Sequence, residues 1–180
     1  MRKIINRPLQ KMSHRPGFTM IELLIVIVIL SVLFVIGLGS FTSSQIKSRD
    51  SKRKTDLQHI ARALEVYYND QGQYPVSSGN DGLAGQAWGG PFVDPDNSNT
   101  LYMNVLPEDP SDFAYFYEST DGSYFQLYAY LENANDGALT KDEDEEVMVY
   151  TLTDCVVGTC NYGIASTNAD PETGHALVSE

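Results

Sequence analysis

Beyond Arg62 this sequence has almost no positive charge: a single basic residue, Lys141, stands against 21 acids. A surface that acidic repels phosphate backbones, so direct nucleic-acid binding is not expected of that part of the chain. Cysteine and histidine are scarce too. Cys155 and Cys160 lie five apart near the C-terminus, and the histidines (His14, His59, His175) are scattered, so the four soft ligands of a structural zinc site are not at hand. A disulfide closing a small loop outside the cytoplasm is the expected use of the pair, with free buried thiols as the alternative. Catalytic signatures are missing as well. There is no Gly-x-Ser-x-Gly, no phosphate-cradling glycine loop with lysine and no helical pair of histidines, so the chain is not expected to be an enzyme.

The front of the chain is its electrical opposite. Residues 1–17 carry Arg2, Lys3, Arg7, Lys11 and Arg15 and no acid, within a total net charge of −12 over 180 residues. From Leu23 to Phe41, 19 residues run without a charge, close to the roughly 20 that cross a bilayer as a helix. A cleaved secretory signal would place its small residue after the apolar core, whereas Gly17 stands before this one. Five basic residues precede the run and five follow it (Lys47, Arg49, Lys52, Arg53, Lys54), so the positive-inside count is tied. Keeping the short leader in the cytoplasm and exporting the acidic body is the economical orientation.

Glu22 sits in the first turn of the run. A carboxylate in a membrane helix costs about 2.5 to 3.5 kcal/mol at the bilayer centre, which marks it as a functional candidate needing a partner. A cut between Gly17 and Phe18 would set a new amine one helical turn from Glu22, and a neighbouring copy would present another. Paired amine and acid would then fix the register between subunits.

These residues, a basic leader ending in glycine followed by Phe18-Thr19-Met20-Ile21-Glu22 and an apolar helix, resemble the class III prepilin signal of the type IV pilin-like superfamily. The resemblance implies cleavage between Gly17 and Phe18 by a prepilin peptidase, N-methylation of Phe18, and assembly directed by Glu22. Many type IV pilins have a proline where this chain has Gly39, with Gly37 nearby; the pair either loosens the helix in a filament or packs closely. The implied partners are further copies in a helical homopolymer, the peptidase, the inner-membrane pilus assembly machinery, and membrane lipid before assembly. The implied location is the cell membrane, single-pass with a cytoplasmic N-terminus, and afterwards an extracellular or periplasmic filament. A type IV pilus subunit serving adhesion, twitching motility or DNA uptake is the preferred function. A type II secretion pseudopilin is the alternative, and a signal-anchored extracytoplasmic binding domain the outsider.

The expected fold is α+β, a pilin fold with a long N-terminal helix and a small antiparallel sheet on its rear half. Its parts are the leader 1–17, a transmembrane and assembly helix 18–45, an amphipathic continuation 46–75, an αβ-loop 76–112, and a sheet with C-terminal loop 113–180. The continuation rests on Leu57, Ile60, Ala61, Leu64, Tyr67 and Tyr68 at helical spacing, ended by Gly72 and Pro75. "YYNDQGQYP", Tyr67 to Pro75, is again similar to pilins and pseudopilins. In the αβ-loop a short helix is expected near Leu101 to Val105. Three antiparallel strands are expected in "FAYFYE", "SYFQLYAYL" and "EVMVYTL", split by turns such as Asp121-Gly122, with Phe125, Leu127, Ala129 and Leu131 facing the helix. The basic cluster from Lys47 to Lys54 either meets lipid head groups and then acidic neighbours, or is plain solvated surface.

The acidic loop Glu132 to Glu146 departs from the EF-hand pattern because Ala134 stands where an oxygen ligand belongs, although Gly137 and Glu143 fit. The resemblance implies calcium in a strand-connecting loop of this kind in major pseudopilins. Asp136, Asp142 and Asp144 are therefore the candidate ligands, and a bare acidic loop without cofactor is the default.

Overall fold

A computed structural model describes residues 17–77, 82–97, 99–111, 113–151 and 160–179, excluding the side chains of 36–40. Leader residues 1–16 and Cys155 lie outside the described residues. The chain divides into two units, Met1–Thr42 and Ser43–Glu180.

Helix α1 covers Met20–Gln71. It begins two residues later than the pattern suggested because Thr19 takes the N-cap position, its hydroxyl accepting the Glu22 N–H at 3.2 Å. It runs through Gly37 and Gly39. It ends as expected at Gly72, whose φ of 73° lets the chain leave in the left-handed conformation while its N–H donates to the Tyr68 carbonyl at 2.8 Å. Among the described residues, no helix is long and apolar enough to cross a membrane. The apolar run of the sequence passes through 36–40, whose side chains lie outside that description.

In the second unit the spacing of Leu57, Ile60, Leu64 and Tyr67 puts them on one stripe of α1, and all four are buried in a core shared with Phe125, Leu127 and Ala129. That is the packing expected from the alternation in "SYFQLYAYL". Tyr68 departs from it. It is 40% exposed and lays its ring against Tyr74, with centroids 4.6 Å apart.

Strand β1 (Phe92–Val93) pairs antiparallel with β2 (Leu101–Met103). The short helix expected near Leu101 to Val105 is thus a strand: extended backbone at Leu101 and Met103 finds partners in Val93 and Phe92, which a lone helical turn would lack. Further on come β3 (Phe116–Glu118), β4 (Gln126–Ala129), β5 (Met148–Tyr150), β6 (Tyr162–Ala165) and β7 (Leu177–Ser179). The expected β3–β4 hairpin is present, with Tyr117 opposite Leu127, and the Asp121 carboxylate closes its turn by accepting the Ser123 N–H at 2.9 Å. The third strand of that sheet is β6, on the far side of β4, whereas β5 pairs with β7 in a separate two-stranded sheet.

All four residues of β4 are buried, so the sheet is covered on both faces. Leu127 and Ala129 face α1, while Tyr128 joins Phe116, Tyr150 and Cys160 in a second cluster. The chain around Pro171 supplies the outer cover: Tyr128 donates its hydroxyl proton to the Pro171 carbonyl at 2.6 Å, and the Gln126 amide donates to the Asp170 carbonyl at 2.8 Å.

Replacing Leu64 with alanine opens a cavity at a fully buried position and is expected to cost about 2 to 5 kcal/mol. Val66→Ala, on the exposed side of the same turn, is expected to stay within about 0.5 kcal/mol. Urea denaturation followed by circular dichroism checks both; equal losses would contradict the stripe.

Candidate functional site

The N-terminal unit presents a bare apolar surface. Its large hydrophobic side chains are exposed all round, from 45% at Val26 to 87% at Met20. Phe18 is exposed, and among the described residues nothing lies within 4 Å of a Cβ built on Gly17. A helix apolar on every face is stable only when something covers it.

Glu22 has partners in its own turn. The Thr19 N–H donates to Glu22 Oε2 at 2.8 Å and the Thr19 hydroxyl donates to the same oxygen at 2.7 Å. Because the Thr19 hydroxyl also accepts the Glu22 N–H, the two residues form a reciprocal capping box. Among the described residues Glu22 meets no cation. The Thr-x-x-Glu spacing was present in the sequence, and Thr19 is the residue that the sequence reading passed over.

The second unit collects charge around one buried guanidinium. Arg53, one turn after Asp50 on α1, has no solvent exposure. Its Nε and one terminal nitrogen donate to the two oxygens of Asp109 at 2.7 and 3.0 Å, a two-pronged grip. The same terminal nitrogen donates to the Ser111 hydroxyl at 2.6 Å, and the other reaches Asp50 Oδ1 and Glu132 Oε1, each at 2.7 Å. The Phe113 ring lies 5.1 Å from the guanidinium carbon. Burial disfavours the Arg53 charge, but hydrogen bonds to Asp109 and Glu132 outweigh it and the pKa is raised. Asp109 shows the mirror image: burial raises its pKa, the Arg53 bond lowers it, and the net shift is down.

Glu132 is held by two arginines. Arg49 Nε donates to Oε1 at 2.8 Å, and a terminal nitrogen of Arg49 bonds Oε2. The Arg49 hydrogen bond is the main cause that pulls the Glu132 pKa down from 4.5 to about 2; burial opposes it and Arg53 adds to it. The basic cluster of α1 thus serves its own chain. Arg49, Arg53 and Lys54 are bound to Glu132, Asp109 and Asp136, and Lys52 lies 3.8 Å from Asp56.

Of the acids nominated for calcium, Asp136 and Asp142 have their carboxylates engaged elsewhere in the chain. Asp136 Oδ2 accepts from Lys54 Nζ at 2.7 Å while Oδ1 accepts the Ala138 N–H at 3.0 Å. Asp142 Oδ1 accepts the N–H groups of Asp144 and Glu146 at 3.0 and 2.9 Å. The run Asp142 to Glu146 is the tip of a small hairpin in which Lys141 bridges Val147. Calcium takes six to eight oxygens, and among the described residues no group of three or more His, Cys, Asp or Glu could hold a metal ion. Asp136, Asp142 and Asp144 are therefore not gathered into one carboxylate cluster. Near the C-terminus, Cys160 is fully buried and disulfide-bonded.

Residues 40–149 match the family described as "Type II secretion system (T2SS), protein G", and residues 12–38 match the "Prokaryotic N-terminal methylation motif". Type II secretion system core protein G of Pseudomonas aeruginosa is 32% identical over 135 residues, covering 73% of this chain and 93% of that protein. The protein of the same name from Vibrio cholerae is 28% identical over 118 residues, 64% of this chain and 80% of its own length. The type IV major pilin protein PilA of Myxococcus xanthus is 32% identical over 68 residues, 38% of this chain and 31% of that one. No solved structure matches significantly.

The lowered carboxylates give the second unit an acid limit. With a folded pKa of about 2 against an ordinary 4.5, Glu132 contributes stability in full above about pH 4.5, and that stability is lost as the pH falls through about 2. Asp109 and Asp136 act in the same sense, from 3.8 downwards. Chemical denaturation at steps across that window should show falling stability, with a shallower slope for Glu132→Gln. A flat profile would contradict the network.

Proposed function

We propose that this chain, which belongs to the type II secretion system protein G family, is a pseudopilin: a structural subunit that polymerises through its N-terminal helix and serves protein export. The precursor sits in the membrane by the apolar run from Leu23 to Phe41, with its leader in the cytoplasm. Cleavage falls between Gly17 and Phe18, and the new amine of Phe18 is methylated. In the filament the bare apolar helices cover one another, and Glu22 pairs with the Phe18 amine of the next copy. The observation that carries this reading is the exposed apolar surface of the first unit, headed by a carboxylate whose bonds among the described residues are to Thr19.

The sequence reading preferred a type IV pilus subunit. The balance moves to the pseudopilin because the protein G match covers 40–149, most of the second unit. The likeness to the Myxococcus pilin extends over 38% of the chain. Cys155 and Cys160 pair in a disulfide under this proposal, which suits a body outside the cytoplasm.

Purified filaments should yield a chain beginning at methylated Phe18 by mass spectrometry. Glu22→Ala should abolish filaments while leaving cleavage of the precursor intact. Deleting the protein should stop export of secreted proteins without removing surface pili; filaments that still begin at Met1, or lost twitching with normal export, would overturn the assignment.

A further inference from the structure

The loop from 132 to 146 is the strand-connecting segment for which the resemblance implied calcium, yet two of its acids, Glu132 and Asp136, lie against cations of α1. We infer that in this chain Lys54, with the Arg49–Arg53 pair, clamps the loop where a divalent ion would otherwise be needed, so that the second unit folds without calcium. The geometry stands whether or not the filament serves secretion.

Within the single stretch from Arg49 to Lys54, α1 meets the base of the loop with both signs of charge. Asp50 accepts the N–H groups of Glu132 and Asn133 at 2.9 and 2.8 Å. Arg49 and Arg53 hold the Glu132 carboxylate from the other side. Next after Arg53, Lys54 Nζ binds Asp136 Oδ2 at 2.7 Å, with 27% of the lysine side chain and 17% of the aspartate exposed. That partial burial matters, because a covered pair is screened less by salt and water than a surface one. The Asp136 carboxylate in turn shapes the loop by accepting the Ala138 N–H, and its carbonyl takes the Leu139 N–H at 3.2 Å, which turns Leu139 inward to 8% exposure. Farther along, the Asp142 carboxylate is taken by the hairpin tip's own N–H groups. A bound metal stabilises a fold because carboxylates gathered in one place need a cation and the unfolded chain holds none. A lysine and two arginines from the adjoining helix already meet that need here.

The test uses the full-length protein in detergent, melted by circular dichroism in millimolar calcium and in chelator. The wild type should melt at the same temperature in both, within about 1 °C. Lys54→Met should lower the midpoint by about 3 °C or more in both media. The charge exchange Lys54→Asp with Asp136→Lys should recover most of that loss, which a merely structural role for the lysine stem would not allow. A wild-type midpoint raised by about 3 °C or more in calcium overturns the inference, and so does an unchanged midpoint for Lys54→Met. If Lys54→Met does not fold, the calcium comparison on the wild type decides by itself. A wild type that forms no filaments, yet melts as expected in calcium and in chelator, counts against the assembly reading and leaves the clamp intact.

Discussion

A guanidinium cannot be left unpaired in an interior, and the architecture of the second unit follows from meeting that demand at Arg53. Desolvating an isolated charge costs several kcal/mol even after relaxation, so the position is tenable only if its donors are met by well-placed acceptors. They come from three places in the chain: Asp50 on the same helix, Asp109 with Ser111 at the end of the αβ-loop, and Glu132 just after β4. Each connecting segment is thereby tied to one turn of α1. Lysine could not substitute, since its single ammonium lacks the planar fork that grips both oxygens of Asp109.

Hydrophobic packing then fills in around that tie. The stripe from Leu57 to Tyr67 and the inner face of β4 form one core, and the outer face of β4 is roofed by the chain near Pro171. Gly163, in the strand beside β4, explains how the cover comes so close. A Cβ there would lie 2.9 Å from the Tyr128 ring and 3.0 Å from Pro171, so the absence of a side chain lets ring and proline stack over the sheet. The Cys160 sulfur is buried in this second cluster.

Much of this was legible in the sequence, and the exceptions share a cause. The apolar run, the acid in its first turn, the helix end at Gly72 and the hairpin at Asp121-Gly122 are local patterns, and local patterns announce themselves. The expected helix at Leu101 failed because β2 owes its form to a partner some ten residues back, not to its own composition. Strand β6 contains Gly163 and shows little alternation, so its place beside β4 depends on packing that no window reveals. The same holds for Arg53: Asp50 lies three residues away and was visible, but Asp109 is 56 positions distant. Thr19 is different, since its capping box with Glu22 is a local pattern, readable in the Thr-x-x-Glu spacing.

The acids of this chain fall into two physical kinds, and the distinction bears on the proposed assembly. In the second unit Glu132, Asp109 and Asp136 each face a cation of their own chain, so their charge is spent in folding. Glu22 is bonded to a hydroxyl and an N–H, neither of which carries a full charge, and it heads an apolar surface that, once covered by other copies as proposed, would screen an unmatched carboxylate poorly. A capping box satisfies its hydrogen bonds without neutralising it. An amine delivered by another copy would add the missing charge while leaving the Thr19 hydroxyl to cap the helix, so cap and ion pair are compatible. The local bond holds the carboxylate in place at the start of α1, where among the described residues it meets no cation of the kind that the proposed cleavage would create.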